Sequence, residues 1–167
     1  RAILEGRLEL YFQPQVDLHT QTLTGAEALC RWHDPEWGWV SPGEFIPLAE
    51  ERGLIRLLGD WVLKEAAHQL SAWQSASTPL PGRLSINISA QQFADPRLTA
   101  HIATLTSSVS PSAIGLELTE SDFMRDPDQA IIITHAMRKA GYALFIDDFG
   151  TGYSSLSYLR RFAADPA

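Results

Sequence analysis

Apolar and polar positions change their period several times along the chain. Short runs rich in β-branched, aromatic and leucine side chains occur at Leu8 to Gln13, Leu23 to Trp32, Leu84 to Ile88, Ile114 to Leu118 and Ala143 to Ile146. These read as strands, the second least clearly. Between them the period becomes helical. Leu58, Trp61, Val62, Ala66, Leu70 and Trp73 recur at helical spacing within a helix predicted from Ile55 to Gln74, with both tryptophans in its core face. Ser41-Pro-Gly-Glu44 carries an N-cap, a proline at the first helical position and a capping-box glutamate, and that helix is predicted to end at Gly53. Ser89-Ala-Gln-Gln92 is a second capping box, opening a region helical towards Val109 with a break at Pro96. Asp126-Pro127 starts a further helix that stops before Gly141, and Ser154 to Phe162 reads as the last. Ser75 to Gly82 is a connecting loop. Strands alternating with helices indicate an α/β fold with a parallel sheet, either doubly wound or a barrel. The chain has neither a Gly-x-Gly-x-x-Gly turn nor a Walker loop, which disfavours the common nucleotide-binding sheets.

Composition narrows the function classes. With 167 residues and 45% hydrophobic residues the chain suits one domain with a real core. A net charge of −7 argues against tracking a nucleic acid polymer, which needs a basic face. It leaves room for a small phosphate ligand held through a divalent metal. Apolar runs stay well short of the roughly 20 residues of a membrane span, so this segment is expected to make no membrane contact. Cys30 is the only cysteine, mid-strand, and reads as a small core residue. A cytoplasmic location is the expectation.

The chemistry lies at the strand ends. The strand-like runs carry Glu27 and Arg31, then Asn87, then Glu117, and the last ends abruptly in Asp147-Asp148. Sites of parallel α/β folds sit at the carboxyl ends of strands, so Glu27, Asn87, Glu117 and Asp147 are expected on one rim. Hard oxygen donors without His or Cys suit Mg²⁺ or Mn²⁺. Adjacent carboxylates at Asp147 and Asp148 suit a bridge between two ions, followed by a Gly-Thr-Gly loop able to move over the site. Taken alone, Asn87 between Ile86 and Ile88 reads as a satisfied buried amide, and Glu27 as an exposed strand residue. Glu117 and Asp147, in apolar runs, are harder to dismiss, because a buried unpaired carboxylate is costly. The five histidines show no metal-ligand spacing.

Gly25-Ala-Glu-Ala-Leu-Cys-Arg-Trp32 resembles the signature of the bacterial EAL domains. The similarity extends to Tyr11-Phe-Gln-Pro14, Ser41 to Glu50, Asn87-Ile-Ser89, Glu117-Leu-Thr-Glu-Ser121 and Asp147 to Leu156, in the right order. The resemblance implies a TIM-type (β/α) barrel that hydrolyses cyclic di-GMP to linear pGpG with Mg²⁺ or Mn²⁺. It implies that Glu27, Asn87, Glu117 and Asp147 hold the first metal and that Asp147 and Asp148 face the second. It further implies that Gln13, Leu29 and Arg31 contact the substrate, Arg31 on a phosphate, and that Glu120 anchors the mobile loop.

A family lysine, thought to position the water, would follow shortly after the segment matching Leu156 to Phe162. Lys64 and Lys139 both fall on predicted helices. On this reading residues 1–167 are the N-terminal two-thirds of an EAL domain truncated at its C-terminus, within a larger multidomain signalling protein. The alternative function is a non-catalytic cyclic-di-GMP sensor or partner-binding module. Expressed alone, the 167 residues are expected to be poorly soluble or to dimerise through exposed sheet edges. They are also expected to give negligible pGpG in a turnover assay with Mg²⁺ or Mn²⁺, and robust pGpG formation would contradict this.

Overall fold

A computed structural model describes residue 3 and residues 5–147. Six strands form one sheet: β1 (Leu8–Val16), β2 (Leu23–Asp34), β3 (Gly38–Val40), β4 (Arg83–Asn87), β5 (Ile114–Thr119) and β6 (Ala143–Asp147). The helices are α1 (Pro42–Glu51), α2 (Ile55–Ser75), α3 (Ala90–Phe93), α4 (Leu98–Leu105), α5 (Glu120–Phe123) and α6 (Pro127–Lys139). The sheet order is β1-β2-β4-β5-β6, with β3 paired to the far end of β2. Strands β2, β4, β5 and β6 run parallel. This is the parallel, helix-covered arrangement of part of a (β/α) barrel.

The first two strands depart from the parallel pattern. They form a long antiparallel hairpin, because the six-residue turn from Asp17 to Thr22 leaves no chain for a crossover helix. Asp17 closes that turn by accepting the backbone N–H groups of His19 and Thr20 at 2.9 and 2.8 Å. Strand β2 then runs two residues further than its apolar stretch and returns as β3. Asp34 accepts the Glu36 N–H at 2.9 Å and an Arg7 guanidinium N–H at 3.1 Å, which holds this second corner.

Local signals set the helix starts. Ser41 caps α1 and Ser89 caps α3, each with the reciprocal capping-box contact from Glu44 or Gln92. Asp126 caps α6 by accepting the Gln129 N–H at 3.1 Å, and Gly141 follows its end at φ +97°. Pro96 separates α3 from α4. The predicted helix from Ser154 to Phe162 lies outside the described residues. Trp61 and Trp73 are only half-buried at the margin of the core, unlike the central Leu63, Ala66 and Ala67 of the same helix.

Strand alternation divides the sheet into two faces. Ala26, Ala28, Leu84, Ile86, Ile88, Ile114, Leu116 and Leu118 are buried in the hydrophobic core, to which α2 contributes Leu58, Leu63 and Ala66. Each of the larger side chains adds about 1.5–3 kcal/mol when fully removed from water. The intervening residues occupy the opposite face, where the candidate chemistry lies. Among the described residues no helix is long and apolar enough to cross a membrane.

Gly82 sets the entry into β4. Its φ is +79°, and a Cβ there would stand 1.9 Å from the Thr24 carbonyl oxygen of β2. Gly82→Ala therefore meets both left-handed strain and a backbone clash. It is expected to destabilise the protein by about 2 kcal/mol or more in denaturant unfolding. An unchanged midpoint would show that the β2–β4 junction yields freely.

Candidate metal and phosphate site

The register of the parallel strands gives the site its shape. Glu27 pairs with Ser85, Asn87 pairs with Glu117, and Asp147 pairs with Thr119. All six are odd-numbered positions, so they share the face opposite the helices. From β2 to β6 the candidate donors climb in two steps of two residues, each about 6–7 Å along a strand. Such a stagger accompanies strands tilted around a barrel.

All four candidate metal donors thus stand on one face, and two of them touch. Asn87 Nδ2 donates to Glu27 Oε1 at 2.9 Å. Asn87 is exposed, not a buried amide: its flanking isoleucines turn into the core and leave it on the open face. Glu27 is half-buried rather than exposed. Glu117 is half-buried, and desolvation raises its carboxyl above the usual range. A hydrogen bond from Ser85 opposes that rise, while the charges of Glu27 and Asp147 add to it. Among the described residues no three His, Cys, Asp or Glu side chains stand close enough to hold an ion. Asp148 lies outside those residues.

The donor chemistry nevertheless fits a hard divalent cation. Glu117 feels the negative charge of Glu27 and Asp147 together, and a cation between them would relieve that repulsion. The set is all oxygen: three carboxylates and an amide carbonyl.

The substrate candidates surround this patch. Gln13 is exposed on β1 and pairs directly with Glu27. A cavity of about 300 Å³ is lined by Leu29, Arg31, Asn87, Glu117, Thr119 and Asp122, among others. Arg31 Nη1 donates to the Cys30 carbonyl at 2.9 Å, with its guanidinium carbon 5.9 Å from the Tyr11 ring centroid. Glu120 is buried at the first position of α5. The loop it was expected to anchor lies, beyond Asp147, outside the described residues. Cys30 borders the cavity, and burial pushes its thiol up to about 11, which leaves it a poor nucleophile.

Sequence reasoning missed Ser85, Thr119 and Asp122. Ser85 had a signal: alternation within Leu84 to Ile88 puts it on the same face as Asn87. Thr119 and Asp122 had none, because a four-residue helix is too short to show a period. Thr119 Oγ1 caps that helix by accepting the Asp122 N–H at 3.2 Å.

Comparison with known proteins places the chain in a family. The EAL domain family model matches residues 1–166. The chain belongs to the EAL domain family. It is 44% identical over 167 residues to the bifunctional diguanylate cyclase/cyclic di-GMP phosphodiesterase MucR of Pseudomonas aeruginosa, covering 98% of the chain and 24% of MucR. It is also 44% identical over 158 residues to the cyclic di-GMP phosphodiesterase PA2567 of the same organism, covering 93% of the chain and 27% of that protein. This EAL chain therefore spans about a quarter of the length of these relatives. A solved P. aeruginosa MucR phosphodiesterase in complex with c-di-GMP superposes with a TM-score of 0.91 at 41% identity, covering 98% of this chain and 66% of that one. The fold is accordingly that of the TIM-like EAL barrel.

The raised Glu117 carboxyl gives a pH prediction. A folded-state value above the unfolded one favours folding below the unfolded value, and this contribution is lost as pH rises through the folded value. At neutral pH, without divalent ions, Glu117→Gln is expected to raise the melting midpoint by about 1–3 °C. Mn²⁺ is expected to stabilise the wild type and to lose most of that effect in Glu117→Gln. A thermal melt series with and without Mn²⁺ checks both, and equal Mn²⁺ shifts in the two proteins would contradict the assignment.

Proposed function

We propose that the protein containing this chain hydrolyses cyclic di-GMP to linear pGpG. The observation that carries the reading is the staggered set of Glu27, Asn87, Glu117 and Asp147 on one face, beside a cavity lined by Arg31. The names of MucR and PA2567 support the same substrate.

In this reading Glu27, Asn87, Glu117 and Asp147 hold one divalent ion, Mg²⁺ or Mn²⁺. Asp147 and Asp148 face a second. Bound there, the ions would polarise the phosphoryl oxygen and lower the pKa of the attacking water. The protein's own residues supply orientation. With its Nδ2 directed to Glu27, Asn87 presents its carbonyl oxygen as a ligand. Ser85 holds the Glu117 carboxyl in place by hydrogen bonding. Arg31 offers a guanidinium to a substrate phosphate, and its bond to the Cys30 carbonyl fixes one of its nitrogens. Gln13 and Leu29 contact the nucleotide, the first through hydrogen bonds and the second through apolar contact with a base. Glu120, buried at the start of α5, takes the anchoring role that the family resemblance implies.

Residues 1–167 form the N-terminal two-thirds of the domain in this account, and a lysine outside them positions the water. A cytoplasmic location belongs to the same proposal and is supported by the single cysteine.

The test is turnover by the full-length protein. Wild type is expected to release pGpG with Mg²⁺ or Mn²⁺, and Glu27→Ala to lose at least about a hundredfold in kcat through loss of a metal ligand. Arg31→Ala is expected chiefly to raise KM. A wild-type protein that binds cyclic di-GMP without hydrolysing it would replace this reading with the sensor alternative.

A further inference from the structure

The rim beside Arg31 carries an aromatic wall that the metal and phosphate chemistry does not use. Tyr11 on β1 pairs with Leu29, and Trp39 on β3 pairs with His33 of β2. The Tyr11 and Trp39 rings meet edge to face, with centroids 6.0 Å apart and planes at 78°. His33 meets Trp39 in the same manner at 5.0 Å and 75°. Two near-perpendicular neighbours thus fix the orientation of the indole. Even so, Trp39 is 58% exposed and Tyr11 is 47% exposed.

The surroundings of this wall limit what it can hold. The Arg31 guanidinium carbon lies 5.9 Å from the Tyr11 centroid, and Arg31 also lines the cavity together with Leu29. A cation on one side chain of this wall, Tyr11, and a held, exposed indole on the other suit a ligand combining an anionic group with a flat ring. A nucleotide has that form. Aromatic faces stack with any base, whereas an arginine engages phosphate.

We propose that Trp39 is a substrate-positioning residue that stacks on a purine base of the bound cyclic dinucleotide while Arg31 engages its phosphate. This rests on the cyclic-di-GMP reading above and adds to it the residue that orients one base. Tyr11 and His33 act by holding the indole. Because Trp39 is not one of the candidate metal donors, its contribution falls on binding and not on the chemical step.

Calorimetric titration of the full-length protein with cyclic di-GMP, in Ca²⁺ to suppress turnover, tests the proposal together with kinetics in Mn²⁺. Trp39→Ala is expected to weaken binding about tenfold or more and to raise KM to match, with kcat within about twofold. Trp39→Leu keeps bulk and apolar character but removes the aromatic face, and it is expected to behave like Trp39→Ala. Trp39→Phe restores a ring and is expected to recover most of the affinity. Wild-type binding with an unchanged Trp39→Ala overturns this inference alone. So does full affinity in Trp39→Leu, which would make Trp39 a packing residue. A wild-type protein that does not bind cyclic di-GMP overturns the functional reading, and this inference with it.

Discussion

Adjacent residues in a strand must point to opposite faces, and the organisation of this chain depends on that constraint. In β4 the sequence Leu84-Ser-Ile-Asn87 sends Leu84 and Ile86 into the helix-covered core and leaves Ser85 and Asn87 on the other side. In β5 the same alternation buries Ile114, Leu116 and Leu118 and turns Glu117 outward from the core. A slip of one residue in any strand would bury a carboxylate among aliphatic side chains and expose the core residues. Packing therefore enforces the position of the chemistry. The cost of burying Glu117 and the gain from burying Leu116 and Leu118 favour the same register.

Electrostatics on the open face pull the other way. Glu117 is half-buried and senses two other carboxylates, and only the Ser85 hydroxyl eases its ionisation. Such a group costs stability in an ion-free protein at neutral pH. It becomes useful when a divalent cation occupies the space between the charges, since the same low-dielectric setting then strengthens attraction. On the proposed reading, the stability forgone in the free protein would reappear as binding energy for the ion. Functional sites often carry this kind of local cost.

Much of this was legible in the sequence because it depends on neighbours along the chain. Ser41, Ser89 and Asp126 cap their helices through atoms two to three residues away, so the caps were visible without a fold. The candidate donors were visible as polar breaks in apolar runs. Other features depended on distant partners. The antiparallel pairing of β1 with β2 follows from a short turn rather than from any strand pattern. Strand β3 has three residues and α5 has four, too few for a period to emerge. The exposure of Asn87 was concealed by the isoleucines on either side. Membership of the EAL domain family rests on motifs spread across the chain and on the match over residues 1–166. The aromatic wall was not legible at all, because Tyr11, His33 and Trp39 come from three strands.

On the proposed reading, four strand residues from β2, β4, β5 and β6 share one divalent ion. Anomalous diffraction from crystals of the full-length protein grown with Mn²⁺ and cyclic di-GMP tests it most directly. A manganese peak is expected, bounded by oxygens of Glu27, Asn87, Glu117 and Asp147 at distances of about 2.0–2.2 Å. A fully occupied manganese site elsewhere, with these four side chains unliganded, would contradict it.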